Sequence, residues 1–315
     1  MALLQSSGVT PQGWRTKVEI KKVVVVGAGT MGRQIGFQCA VSGFQTVMYD
    51  AHPEALTDCR KKQLEYASFF VAKRGSRAED IDATVARLSY TADLAEACGD
   101  ADLVSESVPE NPVIKHEVYG QLNRHCPGRT IFTTNTSTLL PSEFADSTGR
   151  PDRFLALHFA NPVWDANIGE VMPHPGTDPA VFQRVLDFAA EIGMVPIRLE
   201  KEQNGYVINS LLMPLLIAAQ GLVTNEVATH EDVDRTWMVS TKMPVGPFGI
   251  MDLIGLETVH NVLAHWAEAD GDEELRRHAD YIKGRFVESG NLGVKTGKGY
   301  YCYPKPAFAR EGFLG

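Results

Sequence analysis

Lys22 to Asp50, KVVVVGAGTMGRQIGFQCAVSGFQTVMYD, decides the fold. Val23-Val24-Val25-Val26 is β-branched on both faces, which suits a central parallel strand covered by helices on each side. Gly27-x-Gly29-x-x-Gly32 follows at once. In such a turn the first glycine makes the sharp bend, the second lets backbone approach a pyrophosphate, and the third lets helix pack on strand. Thr30 and Met31 lie between the second and third glycines, where the N–H groups of a starting helix can hold phosphate. Gln45 to Tyr49 reads as the second strand, and Asp50 stands at its end. A carboxylate there accepts both ribose hydroxyls of NAD and repels the 2′-phosphate of NADP. A glycine triplet alone also occurs in turns that bind nothing. Here strand, triplet, helix, second strand and terminal acid agree, so NAD is the expected cofactor.

Outward from this stretch, composition narrows the class. The chain has 315 residues, 44% of them apolar and 22% charged, the profile of a globular protein long enough for two domains. Net charge is −9 with no Lys/Arg block, which argues against a nucleic-acid or anionic-membrane partner. Cys39, Cys59, Cys98, Cys126 and Cys302 form no CxxC pair and are odd in number. They read as buried small residues in a reducing compartment, with no metal site. The opening MALLQSSGVTPQGW lacks the pattern of a signal or transit peptide. The longest apolar run, Leu211 to Ala219, contains Pro214 and is too short to span a bilayer. A cytoplasmic enzyme acting on a small molecule is expected.

Residues 1–17 read as a loose arm and 18–203 as a Rossmann-type, doubly wound α/β domain with a helical excursion over 53–87. Strands are expected at Leu88 to Tyr90, Ala101 to Ser107, Thr130 to Thr134, Phe154 to Phe159 and Val195 to Leu199, alternating with helices. In such sheets ligands bind beyond the carboxyl ends of the strands, where Asp50, Glu110, Ser137 and His158 all fall. Residues 204–315 read as an all-α domain, with helices over Tyr206 to Asn225, His230 to Trp237, Pro247 to Asp270 and Glu273 to Glu288. Gly293 to Tyr303 reads as a glycine-rich turn with a short extended tail.

His158, ending a strand, and Glu170, in the segment that returns from it, are the pair of chemical interest. An imidazole can take a hydroxyl proton, and a carboxylate on its other nitrogen fixes the tautomer and stabilises the imidazolium, which suits alcohol oxidation by hydride transfer. Alone, a strand-end histidine is more often structural. Ser137 and Asn209 could hold the reacting oxygen, or be a loop hydroxyl bonded to backbone and a helix-surface amide. His260 and His265 are spaced wrongly for HExxH, and Lys73-Arg74 reads as a solvated helix end.

VVGAGTMGRQIG, SVPENPVIKHEVYGQL, TTNTS, HFANP…GEV, GYVINSLLMPLL, MPVGPFGIMDLIG and GVKTGKGYY occur in that order. From about Lys21 to Tyr303 the chain thereby resembles the 3-hydroxyacyl-CoA dehydrogenase family. The resemblance implies NAD-dependent oxidation of an L-3-hydroxyacyl-CoA, with a short chain such as 3-hydroxybutyryl-CoA, and a homodimer through the helical domain. It implies that Asp50 binds the adenosine ribose and that Glu110, Lys115, Asn161 and Lys295 contact NAD or the loop covering it. Ser137 would touch nicotinamide and substrate, His158 would be the general base, Glu170 its partner, and Asn209 a ligand of the substrate oxygen.

Two departures bear on the acyl group. HFANPVWDANIGEV stands where many relatives read HFFNPVPVMKLVEV, so Trp164, Asp165 and Asn167 replace apolar and basic residues. Ser210 follows Asn209 where an arginine is usual. Arg60, Lys61, Lys62, Lys73 and Arg74 on the excursion are the candidate cations for CoA phosphates. The alternatives are a dehydrogenase of a free 3-hydroxy acid, like gulonate and carnitine dehydrogenases, and a non-catalytic NAD-binding protein, like the lambda-crystallins. A structural protein has no need of His158, Glu170, Ser137 and Asn209 together.

Overall fold

The computed structural model describes residues 19–315, and the arm expected over residues 1–17 lies outside the described residues. The chain divides into two compact units, one ending at Val207 and the other starting at Ile208. The first unit runs β1 (Lys22–Val26), α1 (Thr30–Val41), β2 (Gln45–Tyr49), α2 (Pro53–Arg74), α3 (Ala78–Ala86), β3 (Leu88–Thr91) and α4 (Leu94–Cys98). It continues through β4 (Leu103–Glu106), α5 (Pro112–His125), β5 (Ile131–Thr134), β6 (Phe154–Phe159), β7 (Ile168–Pro173), α6 (Pro179–Glu191) and β8 (Val195–Arg198).

All eight strands form one sheet in the order β3-β2-β1-β4-β5-β6-β7-β8. Pairing is parallel except between β6 and β7. This is the expected doubly wound sheet, with its reversal of strand order between β1 and β4. The valines of β1 explain its central place: Val23 and Val25 pack with Ile35 and Cys39, while Val24 and Val26 pack with Leu94, Tyr119 and Leu122 on the other face. Full burial of each contributes about 1.5 kcal/mol or more.

β7 appears in the sequence only as a returning segment, because Gly169 and Pro173 interrupt its apolar pattern. Gly169 has a packing reason: a Cβ there would lie 3.3 Å from the Cβ atoms of Ala189 and Met194. The strand thus runs close beneath α6 and the turn after it. The excursion is two helices, α2 and α3. Pro53 fits the first turn of α2, where its missing N–H costs little, and Gly75 ends that helix in the left-handed conformation at φ +69°.

The second unit contains α7 (Ile208–Thr224), α8 (His230–Thr241), α9 (Pro247–Ile254), α10 (Leu256–Asp270) and α11 (Glu273–Ile282). Two sequence expectations need correction. The helix expected from Tyr206 starts at Ile208, since Gly205 and Tyr206 both have positive φ. The single helix expected over Pro247 to Asp270 is broken at Gly255, whose φ of +99° no right-handed helix accommodates.

Two buried acids organise this unit. Asp252 accepts the amide N–H of Tyr300 and of Tyr301 and the hydroxyl of Tyr303. Asp234 accepts the amides of Phe248 and Gly249 at the start of α9 and the hydroxyl of Tyr301. Burial pushes both carboxyls above the usual range, against hydrogen bonds that favour the charged form. A raised native pKa stabilises the fold below the unfolded value of about 3.9, and that contribution is lost as pH rises through the native value. The closing GVKTGKGYY is therefore a clamp, with Gly299 leaving room for the acid: a Cβ there would lie 2.0 Å from Asp252 Oδ1.

Cys39, Cys59, Cys98 and Cys126 are buried, and burial pushes the thiols of Cys39 and Cys59 up to about 12. Cys302 departs from the expectation and is exposed, because it alternates with the inward-facing Tyr301. Among the described residues no helix is long and apolar enough to cross a membrane.

The clamp gives a paired test. Gly299→Ala should lower unfolding stability by about 3 kcal/mol, as overpacking against a buried acid does. Gly284→Ala, whose Cβ meets nothing within 4 Å, should leave stability unchanged or slightly higher. Denaturant titration of both variants checks the difference.

Candidate active site

The three glycines of the first turn each meet a different constraint. Gly27 has φ +102°, donates its N–H to Tyr49 O at 2.8 Å, and could carry no Cβ, which would meet Ser107 O at 2.5 Å. Gly32 presses α1 onto the turn so closely that a Cβ would lie 1.8 Å from Gly27 O. Around Gly29 the Cβ direction is open for 4 Å. No side chain caps α1 at this end, and its first turn carries no acid. Thr30 is exposed and Met31 half-buried at the same turn. Asp50 accepts the Ala28 amide at 2.9 Å on one oxygen and the His52 amide at 3.0 Å on the other, which fixes the carboxylate at the end of β2. Open backbone, free helix N–H groups and a positioned acid fit NAD.

Farther along the sheet, the antiparallel ladder sets His158 of β6 directly opposite Glu170 of β7. Nδ1 of His158 lies 2.9 Å from Glu170 Oε2, and both residues are buried. A carboxylate only accepts, so Nδ1–H donates and Nε2 is left as the acceptor. Ser137 Oγ lies 3.2 Å from Nε2. The exposed Ser137 side of this pair is the direction from which a substrate hydroxyl can reach the imidazole.

Ser137 is held by Glu110, at the head of the turn into α5. One Glu110 oxygen accepts the amides of Ser137 at 3.0 Å and Thr138 at 3.2 Å, together with the hydroxyls of Thr136 and Thr138. Partial burial raises its pKa, but the Thr136 hydrogen bond and the Lys115 charge outweigh this, and the carboxyl sits below its usual range. Its grip on the loop is present above the unfolded value of about 4.3 and lost as pH falls through the native one.

Lys115, expected at the cofactor, is 1% exposed. Its ammonium meets Glu106 Oε1 at 2.7 Å and Glu110 Oε2 at 3.4 Å, so it acts on the loop through Glu110. Glu106 escaped the sequence reading. At 0% exposure it also accepts from Tyr119 at 2.6 Å, Thr134 at 2.8 Å and the Val108 amide at 2.8 Å. An acid ending the apolar strand ADLVSES was the available signal, since a buried carboxylate needs donors nearby.

Asn161 Oδ1 accepts from Gln34 of α1 at 3.0 Å, and Gln34 Oε1 accepts the Val163 amide at 3.1 Å, which ties the loop after His158 to the cofactor helix. Asn209, half-buried on α7, and Lys295, exposed on a short 3-10 turn at Val294–Thr296, belong to the second unit.

Residues of the divergent 164–167 segment have local partners. Trp164 packs on Tyr66 and Phe70 at centroid distances of 4.8 and 5.5 Å. Asp165 pairs with Arg74, and Asn167 donates to Gly193 O at 3.0 Å. Of the candidate cations on α2, Lys62 pairs with Glu65 and Arg60 lies over the Tyr90 ring. Lys61 and Lys73 are exposed and form no ion pair among the described residues.

With this geometry in hand, likeness to known proteins is informative. Residues 22–203 match the family described as 3-hydroxyacyl-CoA dehydrogenase, NAD binding domain, and residues 205–303 match 3-hydroxyacyl-CoA dehydrogenase, C-terminal domain. The chain is 32% identical to the mitochondrial hydroxyacyl-coenzyme A dehydrogenase of Homo sapiens, over 95% of this chain and 96% of that protein. It is 33% identical to the probable 3-hydroxybutyryl-CoA dehydrogenase of Bacillus subtilis, over 91% and 98%. Among solved structures, a diketoreductase described as carrying out substrate-directed dual catalysis of dicarbonyl compounds superposes with a TM-score of 0.85 at 44% identity, over 90% of this chain and 99% of that one.

The open space at Gly29 separates folding from binding. Gly29→Ala should change unfolding stability by no more than about 0.5 kcal/mol. It should still raise KM for NAD several-fold, because the methyl occupies the approach to the pyrophosphate. An unchanged KM in steady-state kinetics would place the phosphates elsewhere.

Proposed function

Because the chain belongs to the 3-hydroxyacyl-CoA dehydrogenase family of NAD-dependent enzymes, we propose that it oxidises the C3 hydroxyl of an L-3-hydroxyacyl-CoA, short-chain like 3-hydroxybutyryl-CoA, to the 3-oxo thioester. The observation that carries this reading is the His158 imidazole, bonded through Nδ1 to Glu170 and presenting Nε2 toward Ser137. NAD, when bound, would supply the acceptor for the hydride that leaves C3. Nε2 of His158 takes the hydroxyl proton, and Glu170 stabilises the resulting imidazolium. Ser137 Oγ and Asn209 hold the reacting oxygen. Asp50 and the turn from Gly27 to Gly32 bind the adenosine end of the cofactor, with Glu110, Asn161 and Lys295 at or over the cofactor.

A second reading is favoured by the 44% identity to the diketoreductase: a free 3-oxo or dicarbonyl substrate, reduced without CoA. Pairing of Arg74 with Asp165 and of Lys62 with Glu65 still leaves Arg60, Lys61 and Lys73 on α2 without an ion pair among the described residues, so the cations do not decide between the two readings. The thioester retains first place because both family halves and the curated relatives carry CoA in their descriptions.

The enzyme is further proposed to be cytoplasmic and a homodimer through its helical unit, which exposes Leu211, Leu222 and Val227. Light scattering at micromolar concentration should give a dimer mass; a monomer would overturn that assignment.

The substrate test compares acetoacetyl-CoA, acetoacetate and a free diketo ester by NADH consumption, with excess CoA as competitor. Preference for the thioester and inhibition by CoA are expected. Equal or faster turnover of the free compounds, without inhibition, replaces the first reading with the second. His158→Gln should lose kcat by about 10² or more while still binding NADH, and Glu170→Gln should also depress turnover. Near-normal turnover in both would remove the mechanism.

A further inference from the structure

We propose that Tyr206 is a positioning residue for His158: its ring covers one face of the imidazole, and the left-handed turn it forms aims a backbone amide at Glu170. The proposal rests on the reading of His158 as the base.

The two rings stack at a centroid distance of 4.6 Å and an interplanar angle of 20°. Glu170 and Ser137 engage the two nitrogens at the imidazole edge, so the faces are what remains to be fixed. Tyr206 is itself immobilised, at 1% exposure, among Ala156 of β6, Met172 of β7 and Leu199 just after β8. A ring packed this way blocks the swing that would carry Nε2 away from an incoming hydroxyl.

Backbone supplies the second half of the device. Tyr206 has φ +53° and follows Gly205 at +78°, a left-handed pair that a non-glycine residue seldom adopts. This turn directs the N–H of Val207 to Glu170 Oε1 at 2.9 Å, while Oε2 accepts from His158 Nδ1 at 2.9 Å. One residue therefore fixes the base through its ring and fixes the base's partner through the peptide that follows.

Charge completes the argument. Burial first, and then Glu110, Glu170, Glu106 and Glu202, hold the Tyr206 phenol far above its ordinary range, so it stays neutral and does not compete for the proton. A neutral aromatic face attracts imidazolium more than imidazole and favours the protonated base. Among the described residues, the titratable groups facing His158 are Glu170 across the ladder and Tyr206 over the ring, with Glu110 behind the Ser137 loop.

The test compares Tyr206→Phe with Tyr206→Leu. Leucine keeps an apolar side chain but no ring. It should lower kcat about tenfold, leave KM for NAD unchanged, and move the acid limb of the kcat–pH profile to lower pH by about half a unit. Phenylalanine should restore both kcat, to within about threefold, and the position of the limb. NADH binding by fluorescence reports folding, and if Tyr206→Leu fails to bind, Tyr206→Met is read in its place. An unmoved acid limb in the ring-less variant, or a loss in Tyr206→Phe equal to that in Tyr206→Leu, overturns the proposal. If His158→Gln retains turnover, the base assignment itself fails; if His158→Gln is inactive while the ring-less variant behaves as wild type, the positioning role alone fails.

Discussion

A carboxylate with no access to water must find donors or unfold its surroundings, and Glu106 at the end of β4 is such a group. Its donors come from three places: Lys115 and Tyr119 on α5, Thr134 on β5, and the Val108 amide in the turn between β4 and α5. Removing one partner from a buried pair of this kind costs about 3–5 kcal/mol, so the positions of α5 and β5 are bound to that of β4. Lys115 then passes the constraint to Glu110, and Glu110 to the backbone of Ser137. A surface serine is thereby located by a charge buried in the sheet.

The imidazole is located from the opposite side. β6 and β7 pair antiparallel, the register sets His158 against Glu170, and the turn before α7 returns an amide to the same carboxylate. Two independent supports, one on the β4 side and one on the β7 side, meet at the 3.2 Å contact between Ser137 and His158. Both are built from buried charge or charge-assisted hydrogen bonds, which are stiffer and more directional than apolar packing. Such stiffness suits a proton transfer from a substrate hydroxyl, whose donor and acceptor must be held along a fixed line.

Much of this was legible because local physics leaves marks in sequence. Four valines, three glycines at fixed spacing and an acid after the next strand specify the first βαβ unit without any tertiary information. His158, Glu170 and Ser137 could be picked out by motif and strand-end position, yet their distances depend on a strand, β7, that glycine and proline disguise. Asp234 and Asp252 were not legible as scaffolding, because a carboxylate on a helix looks the same in sequence whether water or three buried donors surround it. Trp164 and Asp165 read as changes near a substrate pocket; in the fold they attach their loop to α2 through Tyr66, Phe70 and Arg74. The left-handed Tyr206 was hidden for a simpler reason, since nothing in the sequence marks a tyrosine for a conformation that favours glycine.

The antiparallel register of β6 and β7 also separates what can diverge from what cannot. In a ladder, the spacing of two facing residues is set by the strands and not by the connection between them, so the segment from Ala160 to Asn167 can change sequence while His158 and Glu170 stay opposed. That connection is where this chain differs from the pattern of many relatives. The spacing of the imidazole and the carboxylate is in this way insulated from the loop that joins their strands.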